Sequence, residues 1–220
     1  MNDLKLYNFF RSSTSYRARI VLELKNLKYT YVPVSLSSGE QNQDSYRKVN
    51  SLGGVPTLDH NGKLISQSFA IAEYLDEVFD SGLQLLPADP YLRAKIRQVC
   101  EIINADTHPL QNLKVLQYLE KNLSASADQK QQWMNRWISD GVNAVENVIS
   151  QFAGDYCFGN EPTVADAFLV PQVFSAARFN VDISACKNVL RVNENCIKHP
   201  AFVKAHPFRQ PDTPADLKVN

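Results

Sequence analysis

Residues 53–68 read Gly-Gly-Val-Pro-Thr-Leu-Asp-His-Asn-Gly-Lys-Leu-Ile-Ser-Gln-Ser. The Asn61-Gly62 dipeptide is a strong turn signal, and it separates two short runs, 55–58 and 63–66, of strand length. The stretch therefore predicts a β-hairpin. Towards the N-terminus, an apolar run over 4–9 is followed by a helical pattern over 15–25 and a second strand-like run over 29–34. That is a βαβ unit, joined to the hairpin through a polar loop and a short helix near 44–49. Towards the C-terminus, Ile71, Leu75, Val78 and Phe79 recur at helical spacing, so a helix follows the hairpin and its apolar stripe can cover the sheet. The order is βαβ, then ββα, an α/β domain over 1–84.

Composition shifts at 85–91, where Pro87-Ala88-Asp89-Pro90 marks a linker, and strand signals fade beyond it. Leu92, Ile96, Val99 and Ile103 form one helical stripe and Trp133, Trp137, Ala144 and Val148 another, so 92–220 is expected to be an all-helical domain with two long antiparallel helices. Pro109 predicts a kink near His108, because proline removes an intrahelical donor and clashes with the preceding turn. Thr163-Val-Ala-Asp166 has the form of a capping box ahead of an apolar run over 167–174. The proline-rich polar end after Pro207 reads as a loosely held tail.

A chain of 220 residues with 44% hydrophobic content can fill two cores. Lys and Arg (23) balance Asp and Glu (23), so the charge pattern proposes neither nucleic acid nor an anionic membrane as partner. The opening residues lack a secretory pattern, and no stretch approaches the roughly 20 apolar residues of a bilayer span, which gives a cytoplasmic expectation. Cys100, Cys157, Cys186 and Cys196 form no C-x-x-C pair and no zinc spacing; four reduced, partly buried thiols and no metal are expected.

Three places can carry chemistry. Arg11-Ser12-Ser13-Thr14-Ser15-Tyr16-Arg17 lies between strand and helix, offering hydroxyls and amides at a helix N-terminus, where the dipole favours an anion. It reads either as a cradle for a thiolate or carboxylate or as plain N-capping. Val55-Pro56 can be a cis bond that turns the backbone of Val55 outward to pair with a peptide, although local sequence favours an ordinary turn. Gln67-Ser68 opens another helix; capping explains Ser68 and leaves Gln67 free to bind.

Together, Ser12-Ser13-Thr14-Ser15-Tyr16-Arg17-Ala18-Arg19-Ile20, Gly54-Val55-Pro56-Thr57-Leu58, Gln67-Ser68 with Ala70-Ile71-Ala72-Glu73-Tyr74-Leu75, His108-Pro109-Leu110-Gln111-Asn112-Leu113 and Thr163-Val164-Ala165-Asp166 resemble the zeta-class glutathione transferases, the maleylacetoacetate isomerases. The resemblance spans about 5–208. It implies a thioredoxin-like N-terminal domain, an all-α C-terminal domain, a cis bond before Pro56, a homodimer, and glutathione bound at the domain cleft. It implies that Val55 pairs with the cysteinyl part of glutathione, that Gln67 and Ser68 hold the γ-glutamyl end, and that Gln41 lies along the tripeptide. His108 and Asn112 would complete the glutathione site, and Ser12, Ser13 and Thr14 would surround the sulfur. Many members of the class carry Cys where Thr14 stands; related maleylpyruvate isomerases resemble this segment with Thr in that place.

The implied reaction is glutathione-dependent cis–trans isomerisation of maleylacetoacetate to fumarylacetoacetate, in tyrosine and phenylalanine degradation. A thiol with a pKa near 8.5 needs hydroxyl donors and a helix N-terminus to ionise at neutral pH, and Ser12 is the first choice for that bond. The substrate is an anionic diketo acid, so Arg11 and, by resemblance, Arg178 are its expected partners. His108 is expected to bind rather than act as base. A general conjugating transferase and a non-catalytic binding protein are the rivals; a thiol-disulfide reductase would need a Cys at the first helix start, and the first domain has none.

Overall fold

The computed structural model describes residues 3–219. Two compact units divide the chain. One runs to Leu85 and takes in the segment from Lys198 onward; the other is Leu86–Ile197. The expected domain bounds of 1–84 and 92–220 differ from this division at the C-terminal end, and residues 1, 2 and 220 of those bounds lie outside the described residues.

In the first unit, strand β1 (Leu4–Asn8) buries alternate side chains, Leu4, Leu6 and Asn8, as a period of two requires. Helix α1 (Ser13–Leu24) leads to β2 (Thr30–Pro33), which pairs parallel to β1. Pro33 stands in an edge strand, where its missing N–H is tolerated. After the short helix α2 (Asp44–Arg47), β3 (Thr57–His60) and β4 (Lys63–Ser66) form the expected hairpin, with β3 antiparallel to β1 and a sheet order β2-β1-β3-β4. Both turn residues have positive φ, 53° at Asn61 and 83° at Gly62, the conformation that matches the twist of the strands. Helix α3 (Ser68–Val78) buries Ile71, Ala72 and Leu75 completely, and taking Ile71 and Leu75 out of water stabilises the unit by about 1.5–3 kcal/mol each. At its C-terminal end Asp76 Oδ1 lies 3.1 Å from Lys25 Nζ and accepts the Leu85 N–H at 2.8 Å.

The segment from Lys198 belongs to this unit for two physical reasons. Helix α9 (Pro200–Ala205), the last α-helix in chain order among the described residues, packs Ala201, Phe202 and Ala205 against α1. The buried Arg19 of α1 donates from Nε to the Ala205 carbonyl at 3.0 Å. The end after Pro207 is not the loose tail read from composition. Its polar side chains satisfy its own backbone: Gln210 Nε2 donates to the carbonyls of Lys204 (2.9 Å) and His206 (2.8 Å), and Thr213 Oγ1 to that of Pro207 (2.8 Å).

In the second unit, helix α4 (Pro90–Glu101) starts on Asp89, whose carboxylate caps the Leu92 N–H at 2.7 Å, with Pro90 in the first turn. It continues as a π-helical stretch, Ile102–Thr107, and then turns. Helices α5 (Leu113–Leu123), α6 (Ala127–Ile149), α7 (Val164–Arg178) and α8 (Lys187–Cys196) follow. Helix α7 is buried on nearly every side, the mark of a central helix. Its capping box is present: Asp166 Oδ2 accepts the Thr163 N–H at 2.8 Å while Oδ1 accepts the Cys157 N–H at 2.8 Å. Burial pushes the Asp166 carboxyl up, and these hydrogen bonds oppose that push.

Candidate active site

At the start of α1, Ser12 is the N-cap and its Oγ accepts the Ser15 N–H at 3.2 Å. Thr14 Oγ1 donates to the Val55 carbonyl at 2.7 Å and lies 2.9 Å from Ser12 Oγ. A hydroxyl has one proton. Thr14's is committed to Val55, so in the Ser12–Thr14 contact Ser12 is the donor. A ligand can therefore recruit the Ser12 proton by replacing a single neutral hydrogen bond. Capping and cradle are compatible here, because the cap uses the lone pairs of Ser12 and the cradle its proton. Ser13, half-buried, is the first residue of the helix, inside the reach of the positive dipole end.

The Val55-Pro56 bond is cis, so the ordinary turn favoured by local sequence does not form. The preceding Gly54 carbonyl accepts from Tyr46 Oη (2.7 Å) and Asn50 Nδ2 (2.8 Å), which fixes the approach to Val55. Gly53 has φ of 62°, and a Cβ built on it would fall 2.7 Å from the Gln41 carbonyl oxygen. The 3-10 turn Glu40–Asn42, which carries Gln41, thus rests directly on the Gly-Gly turn. Gln41 Oε1 is buried without a hydrogen-bond partner, an acceptor in search of a donor.

Gln67 precedes α3 with φ 76° and ψ 119°, a left-handed conformation costing about 1–3 kcal/mol in a residue with a side chain. Its carbonyl still begins the helix, accepting the Ile71 N–H at 3.0 Å, while its exposed side chain makes no capping bond. Ser68 Oγ accepts from Arg17 Nη1 at 3.3 Å. Arg17 is fully buried, so a cation stands behind the hydroxyl and leaves its proton for an anionic acceptor. Sequence reasoning missed Arg17 as part of the site; an arginine one turn into α1, directly after the hydroxyl cluster, was the available signal.

The remaining predicted residues are spread differently. Arg11 is exposed, its guanidinium carbon 5.8 Å from the Phe10 ring centre. His108, Asn112 and Arg178 belong to the second unit. The expected kink at Pro109 is instead a widening and ending of the helix: the His108 N–H bonds to the carbonyl of Ile103, five residues back, at 2.8 Å. Thr107 is seated on Gly141 of α6, where a Cβ would lie 1.9 Å from its Oγ1. Gln111 and Gln172, both buried, exchange reciprocal amide bonds of 3.0 and 3.1 Å. Gln111 Nε2 also lies 3.3 Å from His108 Nδ1, so the glutamine pair orients the imidazole. Asn112 caps α5 through the Lys114 N–H at 3.2 Å, and Arg178, exposed in the last turn of α7, lies 4.9 Å from the Phe179 ring centre.

All four cysteines are free and buried in the second unit, and burial pushes the thiols of Cys157, Cys186 and Cys196 up, away from the reactive thiolate. Among the described residues no His, Cys, Asp or Glu group is placed to hold a metal ion, and no helix is long and apolar enough to cross a membrane.

Comparison with known proteins fits this arrangement. Residues 2–77 match the family model of the glutathione S-transferase N-terminal domain. The chain is 43% identical to the probable maleylacetoacetate isomerase 2 of Drosophila melanogaster, over 96% of this chain and 91% of that one. It superposes on the holo structure of a bacterial zeta-class maleyl pyruvate isomerase with a TM-score of 0.92 and 40% identity, covering 96% of this chain and all of that one. A maleylacetoacetate isomerase from Anaeromyxobacter dehalogenans 2CP-1, with glutathione in its active site, is 37% identical with a TM-score of 0.88, covering 97% and 99% of the two chains. With a thioredoxin-like unit, a helical unit and full-length identities of this size, the chain belongs to the zeta-class glutathione transferases, the family of the maleylacetoacetate isomerases.

Proposed function

We propose that this chain is a glutathione-dependent cis–trans isomerase that converts maleylacetoacetate to fumarylacetoacetate in tyrosine and phenylalanine degradation, acting as a cytoplasmic homodimer. The observation that carries the reading is the Ser12–Thr14–Val55 chain of hydrogen bonds, which leaves one hydroxyl proton available at a helix N-terminus beside a cis-proline. Glutathione fits the first unit on its own chemistry. The backbone of Val55, before the cis bond, suits a peptide group, the α3 start with Ser68 and Arg17 suits the γ-glutamyl carboxylate, and Gln41 Oε1 is a buried acceptor lacking a donor. Bound glutathione supplies a thiolate that adds to the conjugated double bond, so that it rotates as a single bond, and departs unchanged.

The chain's own residues do the rest. Ser12 donates its proton to the sulfur, lowering the thiol pKa, and the α1 dipole adds to that effect. Ser13 and Thr14 flank the sulfur, with Thr14 holding the Val55 carbonyl in register. Gln67 and Ser68 fix the γ-glutamyl end. His108, oriented by Gln111, and Asn112 hydrogen-bond to the tripeptide. Arg11 and Arg178 bind the carboxylates of the diketo acid and stabilise the charge that develops on its oxygens.

Maleylpyruvate is the second substrate to test, supported by Thr14 and by the 40% identity with a maleyl pyruvate isomerase. Both acids are assayed spectrophotometrically with and without glutathione, beside conjugation of a generic aromatic electrophile. Glutathione-dependent isomerisation far above conjugation is expected, and the faster acid names the substrate. Conjugation without isomerisation would leave a general transferase; inactivity in every assay would leave a binding protein.

A further inference from the structure

The C-terminal segment presents one carboxylate to the loop between β1 and α1. Asp212 Oδ2 accepts the backbone N–H of Phe10 at 3.0 Å, and Oδ1 accepts the phenol of Tyr31. On the other side of the same loop the buried Arg19 donates to the carbonyls of Phe10 (2.9 Å) and Phe9 (3.3 Å) and to Asn8 Oδ1 (3.0 Å). Phe9 O also accepts the Ser12 N–H at 3.1 Å, so the chain from Phe9 to Ser12 is a single tight turn. The backbone at Phe10 is thus gripped at its N–H by an anion and at its C=O by a cation, two residues before the hydroxyl that reaches the sulfur.

Phe9 and Phe10 are themselves buried, but the turn is not enclosed on every side. A cavity of about 280 Å³ adjoins it, lined by Phe9, Phe10, Ser35, Glu40, Asp212 and Pro214 among others. Where side chains leave space, directional charge-assisted hydrogen bonds set the position of a loop. Asp212 is itself held: Gln210 and Thr213 on either side are 5% and 6% exposed and are bonded to the backbone of the same segment.

We propose that Asp212 is a positioning residue of the thiolate site: through the Phe10 amide it holds the turn that places Ser12, making the C-terminal segment part of the catalytic apparatus. The inference rests on the isomerase reading. Removing the carboxylate frees the Phe10 amide, the turn relaxes towards the cavity, and the Ser12 proton is displaced from the sulfur.

The test compares full-length wild type, Asp212→Ala, Asp212→Asn and Tyr31→Phe, by ultraviolet titration of the bound glutathione thiolate and by steady-state isomerisation with varied glutathione. Asp212→Ala is expected to lower kcat about tenfold near neutral pH, equal to about 1.4 kcal/mol. It should raise the bound thiol pKa by about one unit while KM for glutathione changes less than about threefold. Asp212→Asn is expected to recover most of the rate, because its carboxamide oxygen accepts the Phe10 N–H and its N–H₂ donates to the Tyr31 oxygen. A wild-type thiol pKa in Asp212→Ala overturns the proposal, as does an Asp212→Asn protein as impaired as the alanine variant. Should Asp212→Ala fail to fold, Tyr31→Phe, which removes one tether of the carboxylate, is expected to lower kcat about threefold and raise the thiol pKa; an unchanged pKa there overturns it equally. Wild type without any glutathione-dependent rate would sink the isomerase reading, whereas normal wild-type turnover with unaltered variants would sink only the role of Asp212.

Discussion

Ser12 performs two tasks with different atoms, and replacing it separates them. Its lone pair caps the Ser15 N–H at 3.2 Å, and its proton, now given to Thr14 at 2.9 Å, is the one available to a sulfur. Loss of the cap costs about 0.5–2 kcal/mol of stability for Ala but only a few tenths for Gly. Loss of a hydrogen bond to a charged group costs about 1.5–3 kcal/mol, which corresponds to about one to two units of thiol pKa. Ser12→Ala and Ser12→Gly should therefore differ in thermal stability yet share the same raised pKa of bound glutathione. Below both pKa values the thiolate fraction, and with it the rate, should fall about ten- to a hundredfold; above the raised pKa the deficit should shrink, because both proteins then carry the thiolate. Ultraviolet titration of the bound thiol and pH profiles of kcat measure this directly. If both variants kept the wild-type pKa, the proton assignment drawn from the Thr14–Val55 bond would be wrong and the role would pass to Ser13 or Thr14.

Gly53→Ala forces a side chain into a positive-φ position 2.7 Å from the Gln41 carbonyl, so a loss of about 1–3 kcal/mol in stability and weaker glutathione binding are expected from thermal melts and titration; wild-type affinity would show that the Gln41 turn does not serve the ligand. Lys25→Met removes the buried cation 3.1 Å from Asp76, and since both side chains of the pair are under 5% exposed (2% and 4%), denaturant unfolding should register a loss of about 3–5 kcal/mol. Burial, with the nearby Arg209 and Arg19, holds His206 below its ordinary pKa of 6.5, and its Nδ1 accepts the Phe208 N–H at 3.2 Å. The unfolded chain then binds the proton first, so stability should fall as pH drops from about 6.5 towards the lower folded value, and His206→Gln should flatten that part of a melting-temperature profile.

Local chemistry made part of each unit legible. Asn61-Gly62 needs no distant partner to turn, and Thr163 with Asp166 caps a helix from four consecutive residues. The hydroxyl cluster 12–14 was readable because strand, hydroxyls and helix adjoin in sequence. Features set by distant fit were not. The widening before His108 ends on Thr107, which is seated on Gly141, 34 positions away in the chain. The end after Pro207 looks loose by composition because its anchors, Phe10 and Tyr31, lie 202 and 181 residues earlier. Arg17 and Arg19 count as surface charge in any composition, yet both are fully buried, one behind Ser68 and one gripping the Phe9 and Phe10 carbonyls. Gln67 carries no sequence sign of its positive φ.

The division of the chain also sets an order of events during synthesis. The unit that leaves the ribosome first needs the segment from Lys198 onward to cover α1 and to supply the Ala205 carbonyl to Arg19, whereas Leu86–Ile197 is contiguous and can close as soon as it has emerged. The first unit begun is therefore the last finished. Until the chain has emerged past α9, Arg19 keeps its bonds to Asn8, Phe9 and Phe10 but lacks the Ala205 carbonyl, and the face of α1 that meets Ala201, Phe202 and Ala205 is uncovered.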